Sequence, residues 1–206
     1  RKKIMWYYFL VATVSYLVGS IPFSYLISKW FAKVDLRTEG SKNLGARNSY
    51  EVTKNKWIGL SVLLLDILKG LIPAYFSTYF EQSIDIALFA LLFCVFGHNY
   101  SIYLKFKGGR GLATAAGGFL YIAPLIPFVW IALYFITSII KDNVHFKSIV
   151  ATFLTMFIIS LRANIFFEEY NFQGLVLGNY YIYYALTICF VILSKHWFYF
   201  NNLVKK

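Results

Sequence analysis

Charge is scarce in this 206-residue chain, and acidic charge is scarcer still. Only 14% of its residues are charged, and nine Asp and Glu face twenty Lys and Arg. A soluble domain carries about 25% charged residues to cover its surface. With 59% hydrophobic and 21% aromatic residues, the chain reads as an integral membrane protein rather than a soluble enzyme. Cysteine is almost missing: Cys94 and Cys189 both lie inside apolar runs. No disulfide framework and no metal-ligand spacing is present. A cleavable leader is also not expected. Arg1-Lys-Lys3 does precede an apolar run, but that run is too long and lacks a small-residue cleavage site.

What is present is an excess of cations, with a net charge of +11. They fall in short loops between apolar runs, which is the positive-inside pattern of membrane proteins. This argues against nucleic acid as a partner. Anionic substrates or lipid headgroups suit such a face better.

Seven apolar crossings are expected. The first covers residues 4–30, with a kink or close packing at Gly19-Ser-Ile-Pro22. Residues 57–80 and 86–104 follow. Residues 111–140 are too long for one crossing and are divided by Pro124 and Pro127 into two helices meeting near Ala123. The last two are 148–161 and 175–193. Loops 31–56, 105–110, 141–147 and 194–206 are net basic, whereas 81–85 and 162–174 are net acidic. That alternation puts the basic loops in the cytoplasm; Arg1-Lys-Lys3 then lies on the wrong side. The segment 31–56 reads as a polar loop without periodicity, with Gly40, Ser41, Asn43, Gly45 and Asn48 clustered in it. A loop of that length is more often functional than a mere connector.

Lys107-Gly-Gly-Arg-Gly111 is the most distinctive stretch. Glycines let a backbone approach a ligand closely, and a helix starting at Leu112 would aim its positive end into the loop. Backbone N–H groups and two fixed cations suit a phosphate. A basic turn between two helices is the simpler alternative. Asp66 and Lys69 lie three apart within an apolar run. On a helix they share a face, either as part of a site or as a structural ion pair.

These residues resemble a family. Gly19-Ser-Ile-Pro-Phe23, the Arg-x-x-Gly-Ser-x-Asn-x-Gly-Ala-x-Asn pattern over 37–48, Leu65-Asp-Ile-Leu-Lys-Gly70, and Gly97-His98 followed by Leu104-Lys-Phe-Lys-Gly-Gly-Arg-Gly-Leu-Ala-Thr114 are similar to the bacterial membrane acyl-phosphate:glycerol-3-phosphate acyltransferases, the PlsY family. The resemblance covers essentially the whole chain. It implies an all-α polytopic membrane protein of about seven transmembrane helices, a single domain over 1–206. The protein would lie in the bacterial cell membrane with its motif loops cytoplasmic.

The implied reaction moves a fatty acyl group from acyl phosphate to the 1-hydroxyl of glycerol 3-phosphate, giving lysophosphatidate and phosphate. The donor is already activated, so no cofactor and no metal is implied. By match to the family motifs, Ser41 and His196 would be catalytic, with Arg47 in place of the family's arginine. Asn43, Gly45, Asn48, Lys69, Lys107, Gly108, Gly109, Arg110, Gly111, Thr114 and Ser148 would bind substrate phosphate, with Arg37, Asp66 and His98 in support. Substitution of Gly109 by Ala would then raise KM with little effect on expression. The sequence identifies no protein partner.

Departures from the family pattern fall around this loop rather than in it. Lys42 stands for a glycine, and Glu51 stands where the family's arginine would be, with Arg47 one helical turn away as a substitute. His145 stands for a serine. In the third motif Tyr199 replaces asparagine, Asn202 replaces arginine, and the terminal glutamate is absent. A divergent relative that kept the anion pocket for another phosphorylated substrate, or as a non-catalytic subunit, is the alternative. Transport is disfavoured because the ionisable residues within spans gather on one side.

Overall fold

Apolar runs broken by prolines, glycines and short polar caps have one economical solution in a bilayer, since every backbone polar group must be satisfied within its own segment. A computed structural model describes residues 2–167 and 180–204, and the side chains of 3–162, 165–166 and 180–196. Among these residues the regular elements are helices joined by short loops. The helices are α1 (Lys2–Ser20), α2 (Phe23–Ala32), α3 (Ala46–Thr53), α4 (Lys56–Ser77), α5 (Ile84–Asn99), α6 (Leu112–Ile122), α7 (Leu125–Ile140), α8 (Val144–Phe167) and α9 (Tyr181–Val204), with a 3₁₀ turn at Ile102–Leu104.

Local chemistry explains the boundaries. Pro22 has no N–H to continue α1, so the first apolar run divides there into α1 and α2. Asn55 caps α4, its Oδ1 accepting from the N–H of Trp57 at 2.9 Å. Ser83 caps α5, accepting from Asp85 N–H at 3.2 Å. Asn143 caps α8, taking the N–H groups of His145 and Phe146 at 3.0 and 3.1 Å. Such side chains replace partners that the first turn of a helix lacks.

Three expectations need correction. Residues 31–56 are not a featureless loop: α3 forms inside them, burying Asn48 and Ser49. A polar buried face carries no apolar periodicity, which is why pattern reading misses it. The loop at 141–147 shrinks because Asn143 starts α8 at Val144. Residues 194–204 are not a tail but the continuation of α9. The expected acidic connection at 162–174 lies outside the described residues beyond Phe167, as does the start of the expected last span.

α5 is the central element, packed on α1, α4, α6 and α9. Leu88, Leu91 and Val95 on it meet Phe119, Ile122 and Ile188 in the core. Backbones come close where side chains vanish: a Cβ at Gly70 would collide with the carbonyl of Thr114, locking α4 to α6. Small residues at crossings allow this kind of contact, which substitutes for hydrophobic driving force inside lipid. Many large apolar side chains point outward, among them Trp6, Phe9, Leu64, Phe135, Phe153 and Phe190. Four stretches are long and apolar enough to cross a bilayer: Lys3–Ala32, Lys56–Ser77, Ile84–Leu104 and Val144–Arg162. Three shorter apolar helices accompany them, Leu112–Ile122, Leu125–Ile140 and Tyr181–His196. The protein is an all-helical, multi-pass membrane protein.

Candidate functional site

The glycine-rich loop is anchored on both sides. After the 3₁₀ turn, Lys105 and Phe106 adopt left-handed conformations at φ 52° and 62°, which reverses the chain. Phe106 N–H then donates to Ser101 O at 2.8 Å, Lys107 N–H to Leu104 O at 3.1 Å, and Gly109 N–H to His98 O at 3.0 Å. Gly109 is wedged so tightly that a Cβ would strike both the His98 ring and the Leu44 carbonyl. Gly111 then opens α6 at φ 79°. Two of the N–H groups that the sequence suggests for a ligand, those of Lys107 and Gly109, are therefore turned inward. The glycines are first a requirement of packing. Substitution at Gly109 is consequently not a clean probe of ligand binding, contrary to expectation.

Beneath the loop lies a buried charged cluster. Lys69 Nζ is 2.8 Å from Asp66 Oδ1 and donates to Ile21 O at 3.1 Å, the carbonyl just before Pro22. His98 Nδ1 lies 3.7 Å from the same carboxylate oxygen. The expected pairing of Asp66 and Lys69 is present, and both are almost fully buried. Together with Ser20, Ser24, Ser101 and Gly108 they line a cavity with room for about one water molecule. Lys69 thus lies under the loop with its ammonium already engaged, not on an open face.

On the other side of the loop a second cluster forms. Arg110 Nη2 is 3.2 Å from His145 Nε2, and the rings of His145 and His196 meet edge to face at 5.9 Å. His196 is 1% exposed, and neither of its ring nitrogens has a hydrogen-bond partner among the described residues. Ser148 and Thr114 are buried nearby in their helices, α8 and α6. Asp142, at the corner before α8, is held below the usual carboxylate range by its hydrogen bond from Lys147, and Arg47 on α3 adds to the effect.

The first motif is organised by Asn48. Its Oδ1 accepts from Ser41 N–H at 2.9 Å and its amide donates to Glu39 O at 3.3 Å. Asn48, an expected phosphate ligand, is buried and braces the loop that presents Ser41. Ser41 itself is exposed. Gly45 starts α3, its carbonyl accepting from Ser49, and Asn43 flanks it. Lys42 stands at φ 57°, which explains the family's glycine at that place. Arg37 forks onto Asp35 at 2.6 Å and covers the Tyr25 ring at 4.6 Å; the fork holds the Asp35 carboxyl at about 2. Arg47 Nε contacts Glu51 Oε1 at 2.6 Å across one turn of α3, both side chains largely exposed.

Leu44 through its carbonyl, and His145 through its ring, join segments far apart in sequence, and neither was a candidate. Leu44 carries no chemical signal. His145 is legible only as a departure from the family pattern. The side chains of Tyr199 and Asn202 lie outside the described residues.

The family model described as Glycerol-3-phosphate acyltransferase matches residues 9–206. A glycerol-3-phosphate acyltransferase of Fusobacterium nucleatum is 37% identical over 147 residues, which is 71% of this chain and 75% of that protein. One from Endomicrobium trichonymphae is 33% identical over 187 residues, covering 91% of this chain and 87% of the relative. Among solved structures, the crystal structure of PlsY, an integral membrane glycerol 3-phosphate acyltransferase, in its glycerol 3-phosphate form superposes with a TM-score of 0.78 at 30% identity. It covers 96% of this chain and 92% of that one. Its lysophosphatidic acid form gives a TM-score of 0.77 at 28% identity.

Proposed function

Because this chain belongs to the glycerol-3-phosphate acyltransferase family, we propose that it transfers a fatty acyl group from acyl phosphate to the 1-hydroxyl of glycerol 3-phosphate. It is an acyltransferase of the membrane. The 1-hydroxyl oxygen bonds to the acyl carbon, the bond from that carbon to the phosphate oxygen breaks, and inorganic phosphate leaves. The hydroxyl proton goes to a base or to the departing phosphate. The products are 1-acyl-glycerol 3-phosphate and phosphate.

One observation carries this reading: Gly109 packs on Leu44 of the first motif while Arg110 beside it reaches His145 and, through it, His196. Three motifs distant in sequence thereby share one end of the helix bundle. Lys107 and Arg110 are the cations that hold the transferable phosphate and take up charge as it leaves. Ser41, presented by Asn48, orients the acceptor. Arg47 supplies the cation that Glu51 cannot. His196, whose ring nitrogens have no hydrogen-bond partner among the described residues, serves as base or phosphate ligand, the departing phosphate being the other acceptor for the proton. Catalysis is mainly positioning of two phosphorylated reactants against one another. Asp66, Lys69 and His98 support the loop from below.

The basic loops face the cytoplasm of a bacterial cell in this reading, with the four long and three shorter apolar helices all crossing. The test is direct. Purified protein in lipid receives acyl phosphate and glycerol 3-phosphate, and phosphate release and lysophosphatidate are followed together. Equal appearance of both is expected. A folded protein that releases neither product would overturn the assignment.

A further inference from the structure

His145 occupies a place that the family resemblance gives to serine, and the substitution changes what can be reached. A serine hydroxyl stays next to its own Cβ, whereas an imidazole Nε2 lies on the far side of a ring. Here that nitrogen is 3.2 Å from Arg110 Nη2. A guanidinium has only donors to offer, so the contact requires a lone pair on Nε2. His145 is therefore a neutral imidazole with its proton on Nδ1.

The surroundings favour that state. The ring stands in the first turn of α8, where Asn143 caps the helix by accepting the His145 N–H at 3.0 Å; the positive end of a helix opposes a further positive charge. Arg110 faces the ring from the loop, Arg47 from α3 and His196 from α9. The carboxylate of Asp142 is engaged by Lys147 at 2.6 Å, and that of Glu51 by Arg47 at 2.6 Å.

We propose that His145 is a positioning residue: it fixes the guanidinium of Arg110 over the glycine-rich loop, and so sets the phosphate affinity of the site. Arg side chains carry several rotatable bonds, and an unfixed one must be ordered when the anion binds. An acceptor that holds the fork in advance removes that cost without touching the substrate. The inference rests on the proposed reaction only for its kinetic readout.

Three variants in full-length protein test it. His145→Leu keeps the bulk without an acceptor; His145→Gln restores a neutral acceptor oxygen at a similar reach from the backbone. Loss of one hydrogen bond to a charged group predicts about a tenfold rise in KM for a phosphate substrate with His145→Leu, with kcat near wild type. His145→Gln is expected to stay close to wild type. In an Arg110→Lys background the His145→Leu change should add little, because the two residues act as one unit. Glycerol 3-phosphate binding by calorimetry should fall in parallel, with melting midpoints unchanged. Equal defects in His145→Leu and His145→Gln, or full additivity with Arg110→Lys, would overturn the proposal. Wild-type protein that binds glycerol 3-phosphate but does not turn over would instead reject the reaction and leave the role of His145 standing.

Discussion

Lys42 holds a left-handed backbone conformation, φ 57°, on the exposed loop that Asn48 braces. A side chain there costs about 1–2 kcal/mol relative to a right-handed conformation, and glycine removes that cost while adding its own entropy in the unfolded chain. Lys42→Gly is therefore expected to raise stability by up to about 1 kcal/mol, read as a higher melting midpoint in detergent. A lower midpoint would mean that the lysine side chain compensates through contacts of its own. Gly109 behaves oppositely. With the His98 ring on one side and the Leu44 carbonyl on the other, Gly109→Ala forces the loop apart, at about 1–3 kcal/mol for overpacking. Loss of melting temperature should accompany loss of activity, and an unchanged midpoint would contradict the wedge. The Asp35–Arg37 fork sets a third residue-scale expectation. Because folding lowers the Asp35 pKa to about 2 from its ordinary 3.8, its contribution is complete above pH ~4 and disappears only as pH falls through about 2.

The elements show which features pattern reading finds. The break at Pro22, the division of residues 111–140 at Ala123 and the pairing of Asp66 with Lys69 all follow from spacing and from proline's missing N–H. α3 does not, because its buried face is Asn48 and Ser49; only tertiary contact shows that these residues point inward. Asn48 shows the same limit of pattern: its type suits a phosphate, and only the fold shows that its side chain bonds Ser41 and Glu39. On α3, Arg47 and Glu51 form an exposed pair worth about 0.3–0.5 kcal/mol, too weak to withhold the guanidinium from a phosphate. Glu51→Ala should thus leave the melting midpoint nearly unchanged and lower KM for glycerol 3-phosphate. Arg47→Ala should inactivate, whereas Arg47→Thr combined with Glu51→Arg should retain turnover. Equal inactivity of these two forms would reject the idea that Arg47 stands in for the family's arginine.

Across the molecule, the charge asymmetry of the loops and the buried cluster describe the same polarity. From Lys56 to Asp66 α4 rises about 15 Å at 1.5 Å per residue, so the cluster under the glycine-rich loop is recessed from the helix start. α6, at 11 residues, rises about 16 Å, half of a hydrocarbon core about 30 Å thick. Length alone therefore cannot decide how many helices cross; loop accessibility can. Cys94 and Cys189 are buried and should resist membrane-impermeant thiol reagents in intact cells. A cysteine at exposed Gln82 should be labelled from outside, and one at exposed Lys56 only after permeabilisation. The reverse pattern would invert the topology and place the site on the outer face.

The wedging of Gly109 between His98 and Leu44 also has a temporal meaning. A receptor assembled before its ligand arrives has no closing movement to wait for. Capture of a dianion is then governed by diffusion and by the field of a chain carrying +11, and should slow steeply as salt screens that field. Transient kinetics should accordingly show one concentration-dependent binding phase, with no slower isomerisation behind it.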